Sequence, residues 1–134
     1  MAMFMSQKWG KKFLSWIGGV AESPPLSLTA RMWTVAPDET GTGGAEVTGG
    51  GYDEQTVTLG TPVNGTGGLT AQVLNDATFT FTDMPVANTS IAAYSLHDDV
   101  GDLVVINDAP TLPTWAIGAN PQVSVGALLF GTTK

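Results

Sequence analysis

The chain has 134 residues, a length typical of one domain, and a formal net charge of −7. It has no cysteine, which excludes disulfides and thiolate metal sites. Three of its five basic residues are Lys8, Lys11 and Lys12, and no Lys or Arg occurs from Met32 to Thr133. An acidic body without a basic face excludes a general nucleic-acid binder. Its basic start and acidic remainder can instead attract opposite charges on neighbouring subunits.

Residues 1–20 are predicted to form a short amphipathic helix that Ser6 caps and Gly18-Gly19 ends. The lysines interrupt the apolar run, so it is too short for a membrane span and lacks the compact core of a secretory signal. We expect the helix to pack on its own domain or to dock in a partner, and a membrane-surface helix is a third interpretation. Its apolar positions are Met5, Trp9, Phe13, Trp16, Ile17 and Val20.

Pro24-Pro25 ends the helix, and short alternating segments separated by turns follow it. Residues 90–97 are apolar on both faces, which is typical of a central or interface strand, and 98–102 is predicted to be a hairpin-like turn. The pattern predicts an antiparallel β-sandwich preceded by a short N-terminal amphipathic helix. We expect a docking helix over 1–22 and one β-sandwich domain over 23–134. The predicted strands lie at 26–33, 52–60, 69–73, 77–81, 90–97, 103–106, 115–117 and 122–130.

Three consecutive glycines, Gly49, Gly50 and Gly51, precede Tyr52 and an alternating strand. Glycine allows positive φ and a close approach to another segment, which side chains would prevent. We therefore interpret the glycine-rich loop over 41–51 as a hinge or a contact surface.

Residues with catalytic or metal-binding chemistry are sparse. His97 is the only histidine, and its neighbour Asp98 points to the opposite face of a strand. No G-x-S-x-G elbow occurs, and the acidic turn with Asp98, Asp99 and Asp102 lacks the calcium-loop pattern. No lysine follows the glycines to bind phosphate. The sequence therefore predicts no catalytic residue, no metal site and no cofactor.

The four tryptophans admit two interpretations. Exposed tryptophans beside acids would favour a carbohydrate-binding module. Alternatively, Trp33 and Trp115 pack at sheet edges, and Trp9 and Trp16 dock the helix. The second interpretation is favoured because buried aromatic residues dominate cores and interfaces.

In order, the segments resemble a family of small phage virion proteins, the phage tail fibre or minor tail proteins. The most specific segment is Glu46-Val47-Thr48-Gly49-Gly50-Gly51-Tyr52 with the strand after it. Weaker matches are the short helix, a Leu-x-Leu strand at 26–33 with Pro37-Asp38, the strand–acidic turn–strand at 91–106 and the last apolar segment at 118–130. The resemblance implies a structural virion component without enzymatic activity.

We therefore expect a non-enzymatic virion protein, a minor tail, tail-tip or fibre-associated component that contacts other virion proteins and forms a homo-oligomer. The first alternative is a capsid decoration or head-fibre protein. The second alternative is a receptor- or carbohydrate-binding module. The predicted interface residues are Trp9, Phe13, Trp16, Ile17, Gly49, Gly50, Gly51 and Tyr52.

Overall fold

The computed structural model describes residues 3–108, 110–127 and 129–133. They form antiparallel sheets with one α-helix near the start, α1 (Gln7–Ile17), which confirms the predicted mainly β fold. No helix among these residues has the length and apolar character needed to cross a membrane.

The largest sheet has six strands. Its centre is formed by β9 (Leu103–Asn107), β8 (Ala93–Asp98) and β2 (Leu28–Val35), in that order. Strand β1 (Met3–Met5) pairs with the outer side of β9, whereas β3 (Ala45–Glu46) and β4 (Gln55–Val57) both pair with β2. Strands β8 and β9 form a hairpin, so the predicted strand–turn–strand at 90–106 is confirmed.

Two small sheets complete the described fold. One has the order β11 (Leu129–Thr133), β6 (Leu69–Leu74), β5 (Val63–Asn64). The other pairs β7 (Phe79–Thr80) with β10 (Gln122–Val123), and a 3-10 helix spans Asn88–Ser90.

The core occupies both faces of the large sheet. Met32 and Leu96 point to one face, where they join Phe81, Met84 and Trp115, and residues of both small sheets pack against this cluster. The opposite face holds a second cluster formed by Trp33, Ala93, Leu103 and Ile106. Adjacent residues of a strand point to opposite faces, so Met32 and Trp33 reach different clusters. Strand β8 is thus covered on both sides, as its two-sided apolar pattern predicted.

The predicted helix over 1–20 is wrong at its start, because Met3–Met5 form strand β1. Phe4 lies opposite Ile106 in the β1–β9 pair, and its side chain packs against the second cluster. Sheet pairing and burial therefore prevail over helical periodicity at this end. The expected division into 1–22 and 23–134 stays a prediction, and β1 lies within the first of these segments.

The last third of the chain differs from the prediction in two places. Residues 115–117 are not a strand, because Trp115 is held by its own bonds: its backbone N–H donates to Asn88 Oδ1 over 3.1 Å and its indole N–H to Val86 O over 3.0 Å. The predicted strand at 122–130 is divided into β10 and the start of β11 by a turn at Gly126, whose φ is +76°. Residue 128 lies outside the described part.

Candidate docking surface

Helix α1 has well-defined ends. The Ser6 hydroxyl accepts a hydrogen bond from the backbone N–H of Trp9, as an N-cap should. At the other end, Gly19 adopts a φ of +84° and donates to Trp16 O over 3.0 Å, and Val20 donates to Ser15 O over 2.9 Å. These two bonds form a Schellman motif, for which a glycine at positive φ is the favoured residue. The helix therefore stops in a fixed geometry, as Gly18-Gly19 predicted.

Polar contacts join the first half of α1 to the rest of the domain. The backbone N–H of Ser6 donates to Val104 O over 2.9 Å, and that of Gln7 donates to Glu39 O over 2.9 Å. Lys8 forms an ion pair with Asp102. The indole N–H of Trp9 donates to Asp98 Oδ2 over 3.1 Å. These bonds connect the first turn of the helix to β9, to the loop after β2 and to the β8–β9 hairpin around its turn.

The acceptor of the Trp9 indole is itself ordered. Asp98 Oδ1 accepts backbone N–H bonds from Val100 over 3.1 Å and from Asp102 over 2.8 Å. Burial disfavours the charge, but the bonds from Asp102, Trp9 and Val100 outweigh it and hold the pKa of Asp98 below its usual value. Lys12 lies 4.2 Å from the centroid of the Trp9 ring, a cation–π contact. Trp9, a predicted interface residue, is thus already engaged within its own chain.

The second half of α1 is apolar and exposed. Phe13 is 49% exposed, Trp16 is 63% exposed and Ile17 is 61% exposed, and the Phe13 and Trp16 rings lie 6.2 Å apart. Leu14 and Val20 add to the same stretch, so residues 13–20 hold five of the twelve large exposed apolar side chains of the described chain. Scattered single apolar residues are normal on a surface, whereas a cluster marks a contact site. We call Phe13, Leu14, Trp16, Ile17 and Val20 the α1 surface.

The glycine segment, residues 49–51, lies against another part of the same chain. A Cβ on Gly50, whose φ is +57°, would lie 2.5 Å from the backbone oxygen of Asp83. Gly51 donates its backbone N–H to the same oxygen over 3.3 Å. Gly50 and Gly51 therefore permit a close backbone approach, one of the two roles that the sequence suggested for the glycines. Their contact with a partner stays a prediction.

Tyr52 connects the glycine segment to the core. Its hydroxyl accepts the backbone N–H of Met32 over 2.9 Å and donates to Glu46 Oε1 over 3.1 Å, and its ring stacks on Phe81 with centroids 5.7 Å apart. Burial raises the pKa of Tyr52 far above its usual value, and the Glu46 carboxylate adds to this shift. Burial also raises the pKa of Glu46 although Arg31 opposes the shift. The side chain of Tyr52 therefore stabilises the fold of its own chain.

His97 is buried in a chain of hydrogen bonds beneath the second cluster. The indole N–H of Trp33 donates to Ser95 Oγ over 2.7 Å, and the same Oγ is hydrogen-bonded to His97 Nε2 over 2.9 Å. His97 Nδ1–H then donates to Gly101 O over 3.1 Å. Burial lowers the pKa of His97, which favours the neutral imidazole, and its Nε2 then accepts the Ser95 hydroxyl. A serine and a histidine are in contact here, but Ser95 is 0% exposed and His97 3% exposed, so no substrate reaches them.

The acidic turn uses its carboxylates internally. Asp98 accepts the bonds described above, Asp102 pairs with Lys8, and Asp99 Oδ1 accepts the backbone N–H of Leu26 over 3.0 Å. Among the described residues, no group of three or more His, Asp or Glu side chains is arranged to hold a metal ion.

A cleft of about 320 Å³ opens on the face of the large sheet that carries the main core cluster. The sequence does not predict this cleft, because it forms between segments that lie far apart in the chain. Its residues come from β2, β8, 79–81, 111–113 and 122–127, and none of them belongs to α1. The apolar lining includes Met32, Phe79, Phe81, Leu112 and Val123. The polar lining includes Tyr94, Gln122 and Ser124.

The comparisons agree with a structural role. Residues 4–130 match a family model described as Podophage GP4 fiber I protein gp80. Neither the curated proteins nor the solved structures contain a match. The match covers both the helix with the α1 surface and the β sheets with the cleft. The chain therefore belongs to this podophage fibre protein family and is a structural protein of the phage virion that associates with other virion proteins.

Proposed function

We propose that this protein is a non-enzymatic minor tail component, associated with the tail tip or the fibre, which is held in the particle by burial of the α1 surface against a neighbouring subunit. One observation carries the proposal: five large apolar side chains lie exposed within eight consecutive residues. The resemblance to tail fibre and minor tail proteins supports the tail as its location.

The free energies favour such a contact. Burial of one side chain of the size of Leu, Ile or Phe contributes about 1.5–3 kcal/mol. Association costs about 4–15 kcal/mol in lost motion, so one or two such residues are not enough and a cluster is needed. The α1 surface supplies four residues on the helix and Val20 just after it, and the first half of the helix is fixed to the sheet. This fixed presentation reduces the ordering cost of binding.

The glycine segment has a secondary part in the proposal. Its three residues are exposed, and Tyr52 and Asp83 hold its backbone in place. We include Gly49, Gly50 and Gly51 as backbone contacts of the neighbouring subunit, with Tyr52 as the residue that positions them.

The test is incorporation into particles during infection. A phage that encodes the double change Phe13→Ser and Trp16→Ser should contain at least tenfold less of this protein, measured by quantitative mass spectrometry of purified virions. Substitution is preferable to deletion of residues 1–20, because that deletion also removes β1 and the Ser6 cap. Ile117→Ser is the matched control, because Ile117 is 72% exposed and lies outside α1. Normal incorporation of the double variant would contradict the docking role.

Location is tested on the same virions. A labelled antibody viewed by electron microscopy should mark the tail, and mass spectrometry should count a few to tens of copies per particle. Label over the head with hundreds of copies would contradict the tail assignment and indicate a head-fibre or capsid decoration protein. Binding of the isolated protein to host glycans, lost in the Trp16→Ser variant, would instead indicate a sugar-binding module.

A further inference from the structure

We propose that the neighbouring subunit is a second copy of this chain, and that its cleft receives Trp16 and Phe13 of the α1 surface. The inference rests on the proposed function, because it names the partner of the same surface. It joins two features that the fold leaves apart: an exposed apolar helix end and an open cleft lined by none of the helix residues.

The cleft has the size and lining that an aromatic side chain needs. Sites that bind small molecules begin at about 300 Å³, close to the volume of this cleft of about 320 Å³. Its floor is apolar and aromatic, with Phe79 and Phe81 in edge-to-face contact, their centroids 5.8 Å apart. Aromatic side chains gain further energy from offset or edge contacts with such rings.

The polar lining matches the one polar group of an indole. A buried tryptophan usually finds an acceptor for its N–H. Gln122 and Ser124 line the cleft, are exposed and carry oxygen acceptors. Trp16 is 63% exposed, so its indole is accessible to another molecule. Phe13, whose ring lies 6.2 Å from that of Trp16, would enter beside it.

Charge favours a second copy over a basic or a neutral partner. The 21 residues before Glu22 contain three lysines and no acid, whereas all twelve acids lie from Glu22 onward with only two basic residues. A helix of one copy therefore meets a body of opposite charge on the next. Complementary charge of this kind accelerates association and fixes orientation. Lys11 is exposed on α1 and available for such contacts.

The resulting contact joins different surfaces of two copies. Such a heterologous contact produces a ring when its rotation closes and a chain of subunits when it does not. Both are forms that a component of a tail or a fibre can adopt.

Self-association of the purified full-length protein tests the inference. Sedimentation velocity over a range of concentrations should show wild-type oligomers. Trp16→Ser should raise the dissociation constant at least tenfold, equivalent to about 1.4 kcal/mol. Ile117→Ser should leave it unchanged. A wild-type protein that stays monomeric at several hundred micromolar overturns the inference, and so does association that Trp16→Ser does not weaken.

Variants of the cleft test the other side of the contact. Ser124→Trp places a large side chain at the mouth of the cleft and should abolish association. Ala127→Lys and Ala127→Glu form a pair of similar size at another exposed lining position. The lysine should weaken association with the basic helix several-fold, whereas the glutamate should not. Equal effects of the two changes overturn the charge argument, and circular dichroism with thermal unfolding identifies any variant that fails to fold.

A mixing experiment identifies a contact between unlike surfaces. The Trp16→Ser chain keeps its cleft and the Ser124→Trp chain keeps its helix. An equimolar mixture should therefore form a one-to-one dimer at a concentration at which each chain alone is monomeric. A mixture that stays monomeric overturns the inference.

If wild-type protein is monomeric but the helix variant is missing from virions, the proposed function holds and the partner is another virion protein. If purified copies associate but the label lies on the head, the inference holds and the tail location fails.

Discussion

The α1 surface and the glycine segment are both exposed, yet their surroundings differ. The sequence predicted a contact with a partner for Phe13, Trp16 and Ile17 and for the three glycines. Apolar side chains form the α1 surface, and no residue of α1 is buried against the body of the protein. The glycine segment has no side chains to expose, and its backbone lies directly against Asp83. Solvent exposure therefore has two meanings here: free apolar area in one region, and the open side of a tight internal contact in the other. Changes in the first region should affect assembly with little loss of stability, whereas changes in the second should lower the stability of the subunit itself.

The largest effect on stability is expected from Gly50→Ala. The new Cβ would approach the Asp83 oxygen to 2.5 Å in a backbone conformation that alanine disfavours. The loop opposite cannot yield easily, because Asp83 has a positive φ of 43° and its N–H donates to Asn120 Oδ1 over 2.6 Å. We expect the free energy of unfolding in urea to fall by about 2–4 kcal/mol.

Gly49→Ala is the control for Gly50→Ala. Gly49 has a φ of +95°, but a Cβ there meets nothing within 4 Å. Gly49→Ala should therefore lower the free energy of unfolding by only about 1 kcal/mol, the cost of a positive φ for alanine. Equal losses for the two alanines would show that the approach to Asp83 is not tight and would remove the contrast with the α1 surface.

Tyr52→Phe should have the next largest effect. The change removes the acceptor of the Met32 backbone N–H, which lies in the central strand β2, while the stacked ring is kept. An unpaired buried donor costs about 1–3 kcal/mol, so the free energy of unfolding should fall by that amount. Glu46→Gln keeps an acceptor for the tyrosine hydroxyl, so its free energy of unfolding should fall by less. Wild-type stability of the Tyr52→Phe variant would mean that water replaces the lost hydroxyl.

Acidification tests the body of the fold without changing the α1 surface. Burial lowers the pKa of His97 below its unfolded value of 6.5, so the unfolded chain takes up a proton first. Stability should therefore be complete above about pH 6.5 and should fall as the pH decreases below it. Asp98 has a lowered pKa as well, but its contribution is lost only below its unfolded value of 3.8. His97→Gln should flatten the decrease between pH 6.5 and pH 5, measured by urea unfolding, and an unchanged slope would contradict the neutral histidine.

The smallest effect on stability is expected from Trp16→Ser. Serine and tryptophan have similar helix propensities, and the indole is 63% exposed. The free energy of unfolding of the monomer should change by less than about 0.5 kcal/mol. A loss above 1 kcal/mol would show that Trp16 packs on its own domain. The change would then no longer test docking alone.

The sequence predicted much of this fold from local patterns. Alternating and two-sided apolar segments predicted the strands around Met32 and Leu96, and Ser6 and Gly18-Gly19 predicted the ends of α1. Local patterns did not predict strand β1, because its pairing with β9 joins residues about a hundred positions apart. The cleft depends on equally distant segments and was missed for the same reason.

The sequence predicted the docking surface only in part, because residue spacing does not show which side chains find partners within the chain. Trp9 and Trp16 lie on the same predicted apolar stripe, so spacing alone assigns them the same role. The structure separates them because Asp98, 89 residues away from Trp9, accepts the indole N–H of Trp9. Similarly, a glycine triplet permits both a flexible loop and a tight approach. Only the position of Asp83 decides between them.

The position of α1 between two strands of the same sheet has a mechanical consequence. Strand β1 precedes the helix and pairs with β9, and β2 follows it in the middle of the sheet. A pulling force on a docked α1 would thus be shared between an edge strand of three residues and a central strand of eight. The weaker attachment would separate first, while the central strand kept the subunit tethered. Strand β1 could therefore separate from the sheet under force while the subunit stays attached to its neighbour.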